Sequence, residues 1–355
     1  MAPTAATHFT NPQSSNNDGD HRDDEEAAII DVELEKLSQE CKDLILSLPR
    51  ERGRRTRYLY LFQGFWCQPA EIQAITFLQN HFEAKDSDVV VATIPKSGTT
   101  WLKGLTFAIA NRNKFSPSSK NHPLILSNPH HLVPFFEYTV YGSHHDQLEE
   151  EEAPPDPRLF GTHLPFHAMS SSIKTSGCKI IYICRNPFDT FVSSWIFIDK
   201  IKPKSLPSLT LEEAFDMYCK GIIGFGPSWD HMLRYWNESK ERPNKVLFLK
   251  YEDLKEDTNN HLKRIAQFLG CPFSLEEEER GEIESIIKLC SFKNMKELEV
   301  NKTGTFGRNF ENKYLFRKAE IGDWVNHLSP SMVERLSKII DEKFAGSGLS
   351  FKASP

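Results

Sequence analysis

Short apolar runs alternate with helical patterns through the middle of the chain. Three of these runs, at 89–94, 179–184 and 246–249, are continuous, which is typical of strands buried on both faces. Segments that favour helices follow the first two, over about 101–110 and up to about residue 195. We therefore predict a single α/β domain with a central parallel sheet, in which functional groups collect at the carboxyl ends of the strands.

The chain begins with a polar, acidic segment. Residues 1–28 hold too few apolar side chains to fold and are predicted to form a disordered tail. Residues 29–84 are predicted to form a helical and aromatic region that packs on the core, and residues 85–351 the catalytic domain. The tail is unlike a signal peptide, and no apolar run approaches the ~20 residues that a membrane span needs. We expect a cytoplasmic protein that does not enter a membrane.

Charge and cysteine content exclude several other classes of protein. A net charge of −6 argues against nucleic-acid binding, because a polyanion requires a basic surface. The seven cysteines form no CxxC pair and have an odd total, so reduced thiols are expected. The neighbours His130 and His131 would point to opposite faces of an extended segment. We therefore predict no metal site.

The segment between the first predicted strand and its helix has the sequence PKSGTTW, at 95–101. Gly98 permits a tight turn, and the free N–H groups of the helix start would bind an anion. Three hydroxyl groups would add donors: Ser97, Thr99 and Thr100. In the common nucleotide loop GxxxxGK[ST] the lysine follows the glycine, whereas here Lys96 precedes it. The residues predict a phosphate-binding loop and, by themselves, leave a nucleotide kinase or nucleoside triphosphatase as an alternative.

Together with four later motifs, this loop resembles the donor site of the cytosolic sulfotransferases. The motifs are GTHLP at 161–165, CRNP at 184–187 with Ser193, KYED at 250–253 and FRK at 316–318. Their order and spacing are similar to the family over about residues 59–351. The segments YLYLFQGFW at 58–66 and GSGL at 346–349 resemble the plant members, most of all the hydroxyjasmonate sulfotransferases.

The resemblance implies a reaction and two central residues. A sulfuryl group would pass from 3′-phosphoadenosine 5′-phosphosulfate (PAPS), a co-substrate, to a hydroxyl of a small molecule. His163 would act as general base, and Lys96 would stabilise the charge that grows on the bridging oxygen of the leaving group. The acceptor expected first is 12-hydroxyjasmonate, with flavonols and brassinosteroids as alternatives. A non-catalytic metabolite-binding protein remains the other alternative.

The resemblance also assigns the donor contacts. Arg185 and Ser193 would bind the 3′-phosphate. The same phosphate would be bound from the C-terminal side by Arg317, Lys318 and the backbone N–H of Ala319. Trp101 and Phe292 would enclose the adenine, and Tyr251 would contact its edge. The full predicted donor set is Lys96, Ser97, Gly98, Thr99, Thr100, Trp101, Arg185, Ser193, Tyr251, Phe292, Arg317, Lys318 and Ala319.

Three positions depart from the family pattern. Ala319 stands where glycine is usual, so a positive φ there would be strained. Val325 replaces a frequent lysine, which puts one basic contact in doubt. Gly161 stands where animal relatives have a lysine near the sulfuryl group, so Lys96 is expected to supply more of the positive charge.

The acceptor site is expected among aromatic and histidine side chains. The predicted walls are the segment 134–138, His130, His131 and Phe166. The basic stretch from Arg50 to Arg57 is interpreted as a solvated turn, with anion contact as the alternative. No dimer segment of the animal type is recognisable at 326–334, so a monomer or weak dimer is expected.

Overall fold

The computed structural model describes residues 33–142, 156–306 and 310–351. Two compact units divide the chain, Met1–Lys36 and Leu37–Pro355. The tail predicted at 1–28 lies outside the described residues, and the predicted boundaries at residues 28 and 84 stay predictions. The helices and strands whose bounds are given below lie in the second unit.

A four-stranded parallel sheet, in the order β5-β4-β6-β7, forms the centre of the second unit. Its strands are β4 (Val89–Thr93), β5 (Leu159–Thr162), β6 (Lys179–Cys184) and β7 (Val246–Lys250). In the register, Val89 is opposite both Leu159 and Lys179, and Ile180 is opposite Val246. The parallel sheet predicted from the apolar runs is confirmed. The sequence did not predict β5, because Gly161 and Thr162 occupy half of this short strand.

Two smaller sheets are antiparallel. The first joins β1 (Arg50–Arg52), β2 (Tyr58–Phe62) and β3 (Phe65–Cys67) in chain order, and the second pairs β8 (Thr305–Phe306) with β9 (Phe310–Glu311).

Helices surround the central sheet. In chain order they are α1 (Gln39–Leu46), α2 (Pro69–His81), α3 (Thr99–Asn111), α4 (Pro123–Leu126), α5 (Pro129–Leu132), α6 (Ser171–Thr175), α7 (Pro187–Ile201), α8 (Leu211–Cys219), α9 (Ser228–Glu241), α10 (Tyr251–Glu256), α11 (Thr258–Phe268), α12 (Leu275–Glu279), α13 (Glu282–Leu289), α14 (Phe292–Glu297), α15 (Glu299–Lys302) and α16 (Pro330–Phe344). A π-helical turn (Phe136–Val140) and 3-10 turns at Phe166–Ala168, Asn312–Leu315 and Asp323–Asn326 complete the set.

Successive side chains of β6 point to opposite faces of the sheet, and both sets are apolar or aromatic. Ile181 and Ile183 share a buried cluster with Leu105 of α3 and with residues of α11 and α13. Tyr182, which points the other way, stacks on Tyr235 of α9 with ring centres 4.2 Å apart. Apolar positions therefore pack on helices at both faces, as the continuous apolar run predicts.

The described ranges contain no helix that is long and apolar enough to cross a membrane. Within the same ranges, no three histidine, cysteine or acidic side chains are grouped in a way that could hold a metal ion.

Candidate active site

The loop at 94–98 connects β4 to α3 through two left-handed residues. Gly98 has φ of 104° and Lys96 has φ of 71°. A Cβ at Gly98 would lie 2.8 Å from Cδ2 of Tyr251, so a larger residue would collide with that ring. Glycine is needed here for both reasons, whereas Lys96 holds its conformation at a cost of about 1–3 kcal/mol. The Oγ of Ser97 is buried and has no hydrogen-bond partner among the described residues.

Three cationic side chains, Lys96, Arg185 and Arg317, converge beside this loop. We name them the cation cluster. Burial, together with the charges of Arg185 and Arg317, lowers the pKa of Lys96 to about 7. Arg185 lies over the ring of Tyr251 at 4.6 Å, and its buried Nε lacks a partner in the described part of the chain. Closely spaced buried cations favour an anionic ligand, which would relieve their repulsion.

Two aspartates anchor the segment that carries Arg317. Asp323 accepts hydrogen bonds from Arg317 and, at 2.6 Å, from Lys318. Although burial opposes the effect, these bonds hold the pKa of Asp323 well below its usual range. Asp189 on α7 accepts from the backbone N–H of Gly322 at 2.8 Å and lies 3.4 Å from Arg185. These contacts fix the orientation of the basic side chains.

His163 follows β5 and is tied to the end of β4. Its Nδ1 lies 2.8 Å from the carbonyl oxygen of Thr93 and 3.1 Å from the hydroxyl of the same residue. Because a carbonyl oxygen only accepts, Nδ1 carries the proton and Nε2 is left as an acceptor. Burial lowers the pKa of His163 to about 3. The imidazole is therefore neutral at physiological pH.

One cavity of about 1160 Å³ contains both Lys96 and His163 in its wall. A ring contact and a hydrogen bond join Trp101, Tyr251 and Ala319, which we call the first wall. Ring contacts join Phe135, Tyr138, His163 and Phe225, which we call the second wall. A site for one small ligand is usually about 300–1,000 Å³. The cavity therefore has room for two ligands, one at each wall.

A sulfotransferase domain model matches residues 86–348 of the chain. The chain belongs to the sulfotransferase family. Cytosolic sulfotransferase 15 of Arabidopsis thaliana is 57% identical over 91% of this chain and 90% of its own length. A crystallised Arabidopsis thaliana sulphotransferase is 44% identical, with a TM-score of 0.69 over 87% of this chain and 94% of that one. Mouse sulfotransferase SULT7A1, crystallised with PAP, is 24% identical and shares the fold, with a TM-score of 0.62 over 81% of this chain and 95% of that one.

These similarities confirm the predicted family, enzyme class and fold. The sulfotransferase is grouped with plant cytosolic members, in agreement with the expected cytoplasmic location. The sulfotransferase family excludes the kinase or nucleoside triphosphatase that the loop sequence left open, and the enzyme class replaces the non-catalytic alternative. Acceptor identity and the roles of individual residues stay predictions.

Nearly all predicted site residues of this sulfotransferase meet in one place. His163 and the predicted donor set line the cavity, except Ser97, whose side chain is buried behind the loop. Ala319 has φ of 56°, so the strain expected from the missing glycine is present. Val325 is exposed and lies outside the cavity wall.

The acceptor side differs from the sequence prediction in both directions. His130, His131, Phe135 and Tyr138 line the cavity, whereas four predicted residues lie outside its wall: Pro134, Phe136, Glu137 and Phe166. Phe166 packs against Tyr235 instead, with ring centres 5.8 Å apart.

The basic stretch is not the solvated turn that was predicted. Arg50–Arg52 forms β1, and Arg54 and Arg55 line the cavity. Arg54 donates to the carbonyl oxygen of Trp195 at 3.2 Å, and its buried Nε has no partner among the described residues. Burial lowers the pKa of Arg54 to about 10. The β1–β2 turn brings both side chains to the cavity wall, with Arg54 partly buried and Arg55 exposed, which charge content alone does not reveal.

Sequence reasoning also missed Thr93, Asp189 and Asp323. Thr93 and Asp323 contact site residues as described above, but neither belongs to a polar motif that was recognised as chemical. For Asp189 a signal existed, because it lies four residues after Arg185 at the start of a helix, where such a pair can meet.

Proposed function

We propose that this sulfotransferase transfers a sulfuryl group from PAPS to a hydroxyl of a small, largely apolar acceptor that carries a carboxylate, with 12-hydroxyjasmonate as the first candidate. The observation that carries the proposal is the shared cavity. It joins the cation cluster and the anion-binding loop to a neutral histidine whose Nε2 is free to accept a proton.

The donor side fits a nucleotide with several anionic groups. Arg185 Nε is buried and unpartnered in the described structure, and Arg185 belongs to the cation cluster that lines the cavity. The aromatic rings of Trp101 and Phe292 line the cavity and suit a flat base. PAP in the mouse relative supports the same choice of donor. We propose that no metal is required, because the cation cluster supplies the positive charge.

The reaction balances with these residues. The acceptor oxygen attacks sulfur and forms the new S–O bond, while the bond from sulfur to the phosphate oxygen of PAPS breaks. The hydroxyl proton passes to Nε2 of His163, and Lys96 stabilises the negative charge that develops on departing PAP. A histidine with a low pKa is a weak base, so proton transfer accompanies S–O bond formation, when the hydroxyl has become more acidic.

The second wall favours an apolar acceptor with one anionic end. Phe135, Tyr138 and Phe225 supply aromatic surface close to His163. Arg54 and Arg55 add positive charge to the same cavity. A buried guanidinium nitrogen without a partner in the described structure would gain a charge-assisted hydrogen bond from a carboxylate. An uncharged steroid or flavonol would offer it only a neutral oxygen, which forms a weaker hydrogen bond than a carboxylate does.

Purified protein would be assayed with PAPS, in the presence of EDTA, against 12-hydroxyjasmonate, its methyl ester, a flavonol and a brassinosteroid. We expect sulfated product with the acid, and a KM lower by about 10- to 100-fold for the acid than for the ester, the range of charged hydrogen bonds. No sulfated product with any of these acceptors would refute the proposal. Faster turnover of the flavonol or the brassinosteroid would refute its acceptor part, and gel filtration would test the expected monomer or weak dimer.

Arginine variants test the carboxylate contact directly. Arg54→Ala and Arg55→Ala are expected to raise KM for the acid and to leave KM for the methyl ester nearly unchanged. Arg52→Ala is the matched control, since Arg52 lies in the same stretch and forms an exposed ion pair with Glu213. An equal rise in KM for the acid and for the methyl ester would show that the arginines only shape the cavity.

A further inference from the structure

A lysine is fully buried behind the cavity. Lys103 on α3 is 0% exposed and is absent from the cavity wall. Its Nζ donates to the carbonyl oxygen of Val133 at 2.8 Å and lies 3.0 Å from the centre of the Phe135 ring. Placing an ammonium group out of water is costly unless a nearby group needs its charge. None of the roles described so far uses Lys103.

The absence of a side chain at Gly161 makes room for this lysine. A Cβ at Gly161 would lie 2.2 Å from Cε and 2.3 Å from Nζ of Lys103. The backbone of Gly161 is held in place by its N–H, which donates to the carbonyl oxygen of Pro134 at 2.7 Å. Any other residue at position 161 would displace the amino group of Lys103. The glycine thus has a definite packing role at the strand that leads to His163.

A buried carboxylate faces the same segment. Glu137 is 3% exposed, and its two oxygens accept from the backbone N–H of His163 at 2.7 Å and from the hydroxyl of Thr162 at 3.0 Å. Both oxygens act as acceptors, which is the pattern of an ionised carboxylate. Burial raises the pKa of Glu137 to about 7, while these hydrogen bonds and the charge of Lys103 act to lower it.

We infer that Lys103 and Glu137 are positioning residues for His163: Glu137 holds the backbone of Thr162 and His163 through its two hydrogen bonds, and Lys103, packed against Gly161 and the Phe135 ring, supplies the buried positive charge that favours this arrangement. The inference rests on the proposed function only for its activity measurement. Protonation of Glu137 would remove one of its two acceptors and release the segment that orients the base. Neither residue contacts the substrate in this arrangement.

Other charged and titratable groups face this pair and set its background. Tyr138 in the π-helical turn and Tyr235 on α9 interact electrostatically with Glu137, and His130 on α5 and His163 do so with Lys103. Glu71 on α2, Arg55 in the β1–β2 turn and His231 on α9 act one step further out, on Tyr138 or His163. Tyr138 donates to Glu71 at 2.9 Å, which ties that second carboxylate to the same turn. The charge of Lys103 lowers the pKa of Glu137. Burial in turn holds the pKa of Lys103 well below its usual range, and the charge of Glu137 acts to raise it, so each group favours the ionised form of the other.

The test is the acidic limb of the pH profile of kcat at saturating donor and acceptor. In the wild-type protein, kcat is expected to fall as pH drops through about 7, where Glu137 takes up a proton. Lys103→Met removes a charge that lowers the pKa of Glu137, so the limb should move upward by about 1 pH unit. The side chain of Glu137→Gln cannot titrate, so the acidic limb of this variant should move down towards the pKa of His163. Its kcat should be about 3- to 10-fold lower, because one of the two acceptor oxygens is lost.

A positioning role predicts that the acidic limb moves up in Lys103→Met and down in Glu137→Gln, whereas a merely structural role predicts no such opposite shifts. The double variant should behave as Glu137→Gln does, because Lys103 acts through Glu137. Gly161→Ala, which pushes the flexible end of Lys103 aside, should reproduce the upward shift. Lys114→Met, at an exposed lysine just beyond the same helix, is the control and should shift nothing. An unchanged limb in Lys103→Met and Gly161→Ala would overturn the inference.

A second readout does not depend on activity. Because the folded-state pKa of Glu137 is raised, the folded protein binds the extra proton, and this group destabilises the fold as pH rises from about 4.5 to 7. The difference in Tm between Glu137→Gln and wild type should therefore grow in favour of the variant over this pH interval, and more so in a Lys103→Met background. If wild-type protein lacks turnover with PAPS, the proposed function fails, and this comparison still decides the inference. A difference independent of pH would refute it.

Discussion

Nδ1 of His163 lies 2.8 Å from the carbonyl oxygen of Thr93, the last residue of β4. The same strand leads directly into the loop that carries Lys96. One strand end therefore orients the candidate base and begins the loop of the candidate cation. The proton on Nδ1 is fixed by this contact, and the accepting nitrogen is turned to the cavity side of the ring.

Replacing His163 by alanine tests the base. We expect kcat to fall by about 10²- to 10⁴-fold, the usual contribution of general base catalysis. Calorimetric binding of PAP should be unchanged, since His163 belongs to the second wall. His81→Ala, at an exposed histidine at the end of α2, is the control. Full activity of His163→Ala would remove His163 from the mechanism.

The pKa of Lys96 predicts how donor use depends on pH. In the free protein Lys96 loses its charge as pH rises through about 7, because burial and two neighbouring arginines disfavour the ammonium form. The value of kcat/KM for PAPS should therefore decline above that pH. Lys96→Arg stays charged and should lose this decline, and Lys96→Ala should lower kcat by about 10²- to 10³-fold with the fold intact. A decline that persists in Lys96→Arg would assign it to another group.

Asp323 is predicted to control donor affinity through its two basic partners. Asp323→Asn should raise KM for PAPS by about 10-fold and leave KM for the acceptor unchanged, because Arg317 and Lys318 lose a charged hydrogen bond each. Because the pKa of Asp323 is lower in the folded protein than its unfolded value of 3.8, the ionised carboxylate stabilises the fold above about pH 4. This stabilisation is lost as the pH falls below 3.8 and the carboxylate takes up a proton. The Tm difference from wild type should hold from pH 5 to 8 and shrink below about pH 4.

Asp216→Asn serves as the matched control for Asp323. Asp216 also bonds two basic side chains, Lys220 and Arg335, but this group is exposed. Surface ion pairs contribute about 0–1 kcal/mol, so Tm and KM should scarcely change. Equal effects of the two variants would show that Asp323 has no special role at the donor side.

Ala319→Gly is predicted to stabilise the protein slightly. Ala319 has φ of 56°, where a Cβ is strained and glycine is not. Relief of this backbone strain stabilises the folded protein, but glycine also increases the conformational entropy of the unfolded chain. We therefore expect Tm to rise by only about 1–2 °C. Ala345→Gly, at φ of −50°, is the control and should lower Tm or leave it unchanged. A lower Tm in Ala319→Gly would mean that the surroundings, rather than the backbone, determine the cost.

Local pattern was sufficient for much of the fold. The runs at 89–94, 179–184 and 246–249 became β4, β6 and β7, because a strand buried on both faces must be apolar throughout. The strand Leu159–Thr162 was not predicted, because its place in the sheet depends on pairing with β4 rather than on its own composition. Helix starts such as Pro187 after Asn186 follow from capping chemistry that the sequence displays.

The sequence by itself determined the anion-binding loop and, through its motifs, the family, because strand, loop and helix are contiguous and the chemistry lies in their order. Only the tertiary structure decided that Arg54 and Arg55 enter the cavity, that Asp323 holds Arg317 and Lys318, and that Lys103 occupies the space beside Gly161. The physical reason is the same in most of these cases. Burial and charge interactions link residues that are tens of positions apart in the chain, and such distances become short only when β4, β5 and the surrounding helices have packed.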